Sequence, residues 1–540
     1  MSARTISADI AIVGGGLGGV AAALAALRRG HRVVLSEELP WLGGQLTSQA
    51  VPPDEHIWVE QFGITASYRE LRESIRRYYR DFYPLTDAAR RTPQLNPGLG
   101  RVSRLCHEPP VAVAVITQLL APYRASGRLT VLQPYIPIAA EVDVEVAADV
   151  VKSVTLRRTG TGDELVIAAP MVLDATETGE LLPLTGTEYV VGAESRAQTG
   201  EPSAPETADP SNVQSIAWCF VFDHVDGDHT IERPDDYERW RELAPPFWGD
   251  AMLSFTAPNP RTREPEMRTL RVNPPFDADS SSNDPRIDPG DSDLWEFRRI
   301  AARQNFLPGS YESDIVLANW PQLDYLGGSI IDTPDREFHL AQAKAQSRAY
   351  FYWLQTEAPR PDGGRGWPGL RLRGDLVGTD DGFAQAPYIR ESRRIAAVAT
   401  VVEQDVSVAV RGDSGPARFA DSVGVGMYRI DLHPSTGGDN YIDVECAPFE
   451  IPLGALIPVR MRNLLPAAKN IGTTHITNGA YRLHPVEWNV GESAGELASF
   501  CLEQSLTPRD IVSDPELVRR FQTRLVEAGV EIHWPEIIGY

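Results

Sequence analysis

Three glycines and one acid near the start of the chain carry its clearest chemistry. Gly14, Gly16 and Gly19 are spaced G-x-G-x-x-G, and Glu37 follows the last of them by 18 residues. That pattern suits a ligand with a diphosphate and a ribose. Gly14 allows a tight turn, Gly16 has no Cβ to keep the backbone from the phosphates, and Gly19 lets a helix pack close to a sheet. A helix starting there aims free N–H groups and the positive end of its dipole at the anion. Glu37, with Glu38 beside it, can accept hydrogen bonds from ribose hydroxyls, and a carboxylate there repels a 2′-phosphate. Far downstream stand residues suited to moving protons or holding anions: His433 before Pro434, His475, the pair Arg482 and His484, and Arg393 next to Arg394.

Those glycines work only if a strand enters and a helix leaves them. The apolar run Asp9-Ile10-Ala11-Ile12-Val13 precedes Gly14, an alanine-rich stretch follows Gly19, and Arg32-Val33-Val34-Leu35 leads to Glu37. The order strand, turn, helix, strand, acid is the βαβ unit that holds the ADP half of a dinucleotide, here over residues 8–38. Helices are predicted over 68–83, 111–120, 337–356 and 485–504, with a helical tail over 507–528. Runs at 129–138, 141–147, 150–158 and 164–168 predict an antiparallel meander, and 170–173 a buried strand. Residues 191–290 are rich in Pro, Ser, Asp and Glu, as at 200–210 and 273–291. They predict long loops over a few strands such as 215–222, and 395–432 again predicts strands. The chain is expected to leave the nucleotide domain, build a second domain and return. The boundaries expected are 1–190 with 440–505 for the nucleotide domain, 191–439 for a substrate or cap domain, and 506–540 for a helical tail. The fold class is α/β, a Rossmann-like nucleotide domain carrying a discontinuous α+β cap.

Composition narrows the partners. The 540 residues hold 42% hydrophobic and 23% charged residues, ordinary for a globular protein of two or three domains. The net charge of −23 argues against nucleic acid or an anionic membrane as a partner. No run of about 18 apolar residues predicts a membrane span, and Met1 to Ala8 carry no leader-like apolar core. Cys106, Cys219, Cys446 and Cys501 are far apart and form no C-x-x-C, which predicts a reducing, cytoplasmic setting and no dithiol mechanism. Cys106 adjoins His107, but no further ligand stands near, so no metal site is expected.

Three features favour FAD over NAD. The doublet Gly43-Gly44 stands six residues past Glu37, where a longer ligand needs a second close backbone approach. Asp174-Ala175-Thr176-Glu177 closes an apolar strand with a small-residue turn. Asn470-Ile471-Gly472-Thr473-Thr474-His475 precedes a helix opened by Pro485, and proline suits the first turn of a helix. Amides near Trp488, Asn489 and Val490 are expected to face the flavin pyrimidine edge, where positive dipole ends stabilise the reduced ring. Gln45, Thr47 and Ser48 are candidates to hydrogen-bond the flavin, and Glu487 is first of all an acid that complements the helix dipole.

Several segments carry a resemblance. They are Trp41-Leu42-Gly43-Gly44-Gln45-Leu46-Thr47-Ser48, Ser103-Arg104-Leu105-Cys106-His107-Glu108-Pro109, Asp174-Ala175-Thr176-Glu177 and Tyr388-Ile389-Arg390-Glu391-Ser392-Arg393-Arg394. The last runs from Thr477-Asn478-Gly479-Ala480-Tyr481-Arg482 to Leu483-His484-Pro485-Val486-Glu487-Trp488-Asn489. Through them the chain resembles the FAD-dependent oxidoreductases grouped with fumarate reductase and succinate dehydrogenase flavoproteins, in a bacterial branch of largely unassigned substrate. The resemblance implies tightly bound FAD with a cap over the isoalloxazine. The covalent-flavin histidine of fumarate reductases would fall near residues 44–50, which hold none, so non-covalent FAD is expected.

No second G-x-G-x-x-G stands between a strand and a helix. The nearest, Gly424-Val425-Gly426, has Arg429 at the third glycine position. Electrons are therefore expected from a small-molecule substrate, leaving to an external acceptor (oxygen, a quinone or a protein). Hydride transfer to a flavin needs an oriented C–H bond and a base for the neighbouring O–H or N–H. His484, Arg482, His433 and His475 are the candidates, with Arg393 and Arg394 as a carboxylate clamp. Arg482 and His484, two apart, would share one face of an extended segment. The plainer alternatives are a turn histidine at His433 and an ion-pair set of Arg393, Arg394 and Glu391. A dehydrogenase or oxidase is the reading, one that takes a hydride from a C–H next to O or N, or desaturates a C–C bond, in a small polar metabolite. Reduction of an activated alkene, or a flavoprotein subunit feeding a partner, are the rivals, and a homodimer is an open expectation.

Overall fold

A computed structural model describes residues 4–144, 148–275 and 291–535. Its centre is a parallel sheet of five strands in the order Leu464–Pro466, Met171–Asp174, Ile10–Val13, Val33–Ser36, Leu129–Leu132. Every residue of the three central strands is buried. Layers cover both faces, so these strands read as unbroken apolar runs. Helix Leu17–Arg28 follows the first strand with all but its last residue buried.

Helix His484–Gln504 lies directly on that helix. A Cβ at Gly491 would stand 2.0 Å from the Gly18 carbonyl oxygen, and one at Gly495 2.4 Å from the Ala22 oxygen. The two backbones therefore touch with no side chain between them. Segments from near the two ends of the sequence meet here because small residues stand on both facing stripes.

Several expectations are corrected. The run at 129–138 is two strands: Leu129–Leu132 pairs in parallel with Val33–Ser36, and Tyr135–Asp143 begins the meander. Gln133 and Pro134 separate them, and proline cannot donate to a ladder. The runs expected at 135–138 and 141–147 form one arm, Tyr135–Asp143, whose bulges absorb the lost alternation. Residues 145–147 lie outside the described residues, as do 276–290 of the loop expected at 273–291. The meander gains an unexpected edge, Arg4–Ser7, parallel to Glu164–Ala168. Three of its four residues are exposed, and it carries no apolar pattern. The 395–432 region holds strands Arg394–Ile395, Ser422–Gly426 and Ile430–Leu432, but also helices Glu403–Val406 and Val408–Arg411. There the Asp405 carboxylate accepts the Val402 N–H (3.0 Å) and starts a helical turn instead.

Within 191–439 an antiparallel sheet runs Arg299–Ala301, Ile315–Ala318, Phe220–His224, Leu370–Leu372. Helix Arg336–Thr356 covers it through a core of Phe220, Phe222, Trp320, Tyr350 and Phe351. Two helices, Pro508–Ser513 and Pro515–Glu527, follow the long C-terminal one. Among the described residues no helix is long and apolar enough to cross a membrane.

The glycine seam yields a test. Gly→Ala inside a helix normally stabilises by up to about 1 kcal/mol, whereas overpacking costs about 1–3 kcal/mol. At Gly491 the clash is with backbone, which cannot rotate away, so the second effect wins. Gly491→Ala is expected to lower the apparent unfolding midpoint by several degrees in a thermal melt. An unchanged or raised midpoint would show that the helices do not touch there.

Candidate functional site

Strand Ile10–Val13 delivers the chain into Gly14, whose φ of +101° and clash distance of 2.2 Å to the Ala175 carbonyl carbon admit only glycine. Gly16 is the N-cap of helix Leu17–Arg28, and no side chain caps it. A Cβ on Gly44 would stand 2.9 Å from Gly16 Cα, so the two glycine turns lie against each other. Beside them is a narrow cleft lined by Gly14, Gly16, Glu37, Glu38, Tyr135, Ala175 and Thr176, among others. Gly19 packs on Gly14: a Cβ there would meet the Gly14 oxygen at 2.0 Å.

Glu37 Oε2 accepts the Gly15 N–H (2.7 Å) and Oε1 the Leu39 N–H (2.9 Å). Burial, with Glu38 adding, still pushes this carboxyl up to about 8, because two amide bonds do not repay lost hydration. Glu38 is pushed up too, by burial and by Glu180. Other predicted residues shape the walls rather than face the cleft. Asp174 accepts from Thr176 N–H (3.0 Å), Thr176 Oγ1 (2.6 Å) and Leu181 N–H (3.1 Å). Asn470 Nδ2 donates to the Asp174 oxygen (3.1 Å). Thr47 donates to Leu42 O (2.8 Å) and Ser48 to Gly44 O (3.3 Å), which folds Gly43 and Gly44 into their turn.

At the helix start, Glu487 Oε1 accepts the Gly18 N–H (3.3 Å) and Gln45 Nε2 donates to Glu487 Oε2. Gln45 Nε2 also donates to the Arg482 carbonyl (3.1 Å), and its buried Oε1 has no partner. Lys469 pairs with Glu177 and lies 3.7 Å from Glu487. Burial disfavours its charge, yet the two carboxylates outweigh that and hold it protonated. The C-terminal helix starts at His484 with Leu483 as N-cap, so Trp488, Asn489 and Val490 lie a turn deeper than expected. Trp488 Nε1 donates to Ser67 Oγ (2.7 Å), Asn489 Nδ2 to Val423 O (3.3 Å), and Val490 is fully buried. The free amides at this helix start are those of His484 and Val486, since Pro485 has none.

Arg482 and His484 do not share an extended face. Arg482 is the C-cap of helix His475–Tyr481, and the two helices break between them. From this break a buried polar chain runs into the cap segment. Arg482 Nη1 donates to Tyr388 Oη (3.1 Å) and Nη2 to the Asp431 oxygens (3.0 and 3.3 Å). His433 Nε2 lies 3.8 Å from Asp431 Oδ2, while its Nδ1–H donates to Asp324 Oδ2 at 2.6 Å. Arg390 pairs with the same Asp324 (2.9 Å), and Arg298 with Asp54 (3.3 Å). His484 Nδ1 accepts the Asp54 N–H (3.1 Å). Burial pushes His484 down to about 3 against the pull of Asp54, so its single proton sits on Nε2.

The other expected residues are engaged elsewhere. His475 Nδ1 bonds Glu391 (3.0 Å), and Arg394 pairs with Glu391 (2.5 Å) and Glu194 (3.0 Å). Burial pushes Glu391 up, but His475 and Arg394 bring it down to about 2. Arg393 is spent on Asp332 (2.7 Å) and the Thr178 carbonyl (2.7 Å). Neither arginine is free to clamp a carboxylate. Residues with no sequence expectation, Asp54, Arg298, Asp324 and Asp431, complete the polar chain, and Tyr388 and Arg390 had stood unremarked inside a quoted motif. No spacing could have flagged them, since they come from four distant segments.

The family model described as FAD dependent oxidoreductase matches residues 9–525. The chain belongs to that family. It is an FAD-dependent oxidoreductase, and FAD is its cofactor. No curated protein matches the chain. Solved structures resemble it weakly. One is a geranylgeranyl bacteriochlorophyll reductase-like protein from Thermoplasma acidophilum, 10% identical over 97% of this chain and 85% of that one, with TM-score 0.33. Another is L-proline dehydrogenase from P. horikoshii, 15% identical over 36% and 25%, TM-score 0.19. A third is Mycobacterium smegmatis Sdh1, 14% identical over 32% and 34%, TM-score 0.22. The chain thus spans a quarter to a third of the length of the last two, and likeness this low carries no argument about substrate.

FAD fits what this flavoprotein presents. Gly14 and Gly16 bring bare backbone to the wall of the cleft, and Gln45 Oε1 is a buried acceptor without a donor. Gly14, Gly16, Glu37, Ala175 and Thr176 would hold the ADP half, and Gln45, Lys469 and Glu487 the stretch toward the flavin.

Glu37 gives a pH prediction. Its folded pKa, about 8, lies above the ordinary 4.5, so between those values the folded protein binds the extra proton. Its contribution to stability is present below pH 4.5 and lost as pH rises through about 8, with a slope of at most about 1.4 kcal/mol per pH unit. In cofactor-stripped protein, Glu37→Gln is expected to flatten the fall in melting temperature between pH 5 and pH 8. Parallel curves for the two proteins would contradict it.

Proposed function

We propose that this flavoprotein oxidises a C–H bond beside a hydroxyl in a small polar metabolite, with His433 as the base. The observation that carries this is the Asp324–His433 pair. Nδ1–H is committed to Asp324 at 2.6 Å, so the lone pair is on Nε2, and the side chain is 17% exposed at the mouth of the polar chain. This is the arrangement in which a carboxylate fixes the tautomer and orientation of an imidazole base. When Nε2 takes the hydroxyl proton, Asp324 and the nearby Asp431 stabilise the imidazolium. The buried Arg482 has an unpartnered Nε and can donate to the same substrate oxygen as it becomes a carbonyl. The cap sheet and its aromatic core exclude water from that step. Bound FAD supplies the two-electron acceptor for the hydride.

Non-covalent FAD is part of this reading, as is an external electron acceptor. Gly424 and Gly426 lie in strand Ser422–Gly426, paired with Phe449–Pro452, and no helix follows them to seat a second dinucleotide. A second reading, kin to the fumarate reductase flavoproteins, runs the chemistry backwards on an activated alkene with Arg482 as proton donor. Burial works to free that proton, but Tyr388 and Asp431 outweigh it and hold Arg482 protonated, so this reading stands second.

Stopped-flow absorbance separates the two. Substrate that bleaches the oxidised flavin without oxygen supports oxidation, and substrate that only reoxidises reduced flavin supports the second reading. His433→Asn is expected to slow bleaching by about 10²–10⁴-fold, the usual worth of a positioned base, with the flavin spectrum unchanged. Asp324→Asn should slow it as well. A His433→Asn rate within a few-fold of the parent removes the base from the mechanism.

A further inference from the structure

The polar chain has a charge count that bears on what enters it. Arg298, Arg390 and Arg482 stand one-to-one with Asp54, Asp324 and Asp431, at 3.3, 2.9 and 3.3 Å. All three arginines are buried, as are Asp54 and Asp324, and Asp431 keeps 18% of its side chain exposed at the mouth. His484 is neutral beside them. The three pairs sum to zero. No guanidinium in this group is left over to neutralise an incoming anion.

We infer that the site takes a neutral polyhydroxylated compound, of the sugar or polyol class, and discriminates against carboxylates. This rests on the alcohol-oxidation reading above and narrows it. A carboxylate would lose its hydration in a buried shell with no free cation, or would have to evict an aspartate from its arginine. Asp324 cannot leave cheaply, because it also orients His433. Hydroxyl groups meet no such barrier, since each both donates and accepts. The buried atoms without partners are of both kinds: Arg390 Nε and Arg482 Nε are donors, and Gln214 Oε1 is an acceptor. A site built for a carboxylate would show donors alone. Tyr388 and Tyr428 are close enough to Arg482 and Arg298 to feel their charge.

The test uses FAD-loaded enzyme without oxygen and matched pairs of probes in which a carboxylate replaces one hydroxymethyl group: methyl glucoside and methyl glucuronide, an alditol and its aldonate, glycerol and glycerate. Binding is read as a saturable change in flavin absorbance or fluorescence, and reaction as bleaching. In at least one pair the neutral member is expected to bind at least about ten-fold more tightly, because the other must bury a carboxylate that no free cation neutralises. Asp431→Asn, which leaves one arginine unpaired at the mouth, should shrink or reverse that gap. A carboxylate that binds as tightly as its neutral partner in every pair overturns the inference, and so does a neutral panel that leaves the flavin signal unchanged. Binding of a neutral probe without bleaching would sink the oxidation reading while leaving the ligand class in place. Bleaching by carboxylates alone would do the reverse.

Discussion

The contact on which this architecture depends is backbone against backbone, Gly491 and Gly495 on the carbonyls of Gly18 and Ala22. It sets the distance between the first helix of the chain and one near its end. Because Gly18 lies in the phosphate-facing turn, the same contact decides where residues 482–487 stand relative to Gly14 and Gly16. Gln45 then reaches both Glu487 and the Arg482 carbonyl, and Arg482 reaches Tyr388 and Asp431. A side chain in the seam would open the nucleotide cradle and the polar chain at the same time.

The second constraint is electrostatic. Burying six charged groups beside a cofactor costs more hydration than the pairs regain by attraction, so these ion pairs are weak evidence for stability. Their value lies in orientation. Asp324 serves two partners, a guanidinium and an imidazole, and neither can rotate without leaving a buried carboxylate short of a donor. Removing one member therefore costs far more than the pair contributes, which is the property a rigid site needs.

The parts of this structure legible in the sequence are those whose causes are local. Strand, glycine turn, helix and acid over residues 8–38 are each written in neighbouring side chains, and so are the apolar strand ending at Asp174 and the long helix over 337–356. What escaped had causes elsewhere. Arg4–Ser7 is a strand because Glu164–Ala168 offers it an edge, not because its own residues alternate. Leu129–Leu132 joins the parallel sheet because Val33–Ser36 is its neighbour. The helix break between Arg482 and Leu483 moved the expected amides by one turn. His433 was legible as a residue type, but the aspartate that gives it a role stands 109 positions away. Pairings of that kind leave no periodic trace.

The distribution of charge ties these points together. The chain carries a net −23, yet the three arginine–aspartate pairs leave their part of the interior balanced. Acidic excess also crowds the adenosine cleft, where Glu37, Glu38, Glu177 and Glu180 converge and burial holds the first two partly protonated near neutral pH. A ligand bearing two phosphates would be anchored there by backbone amides rather than by surplus cations. The cofactor's negative charge is thus met by backbone dipoles at one end, while the reacting end stays neutral. In the proposed oxidation the substrate's proton would go to His433 Nε2 and its hydride to bound FAD, and Asp324 and Asp431 stand where they would stabilise the imidazolium so formed.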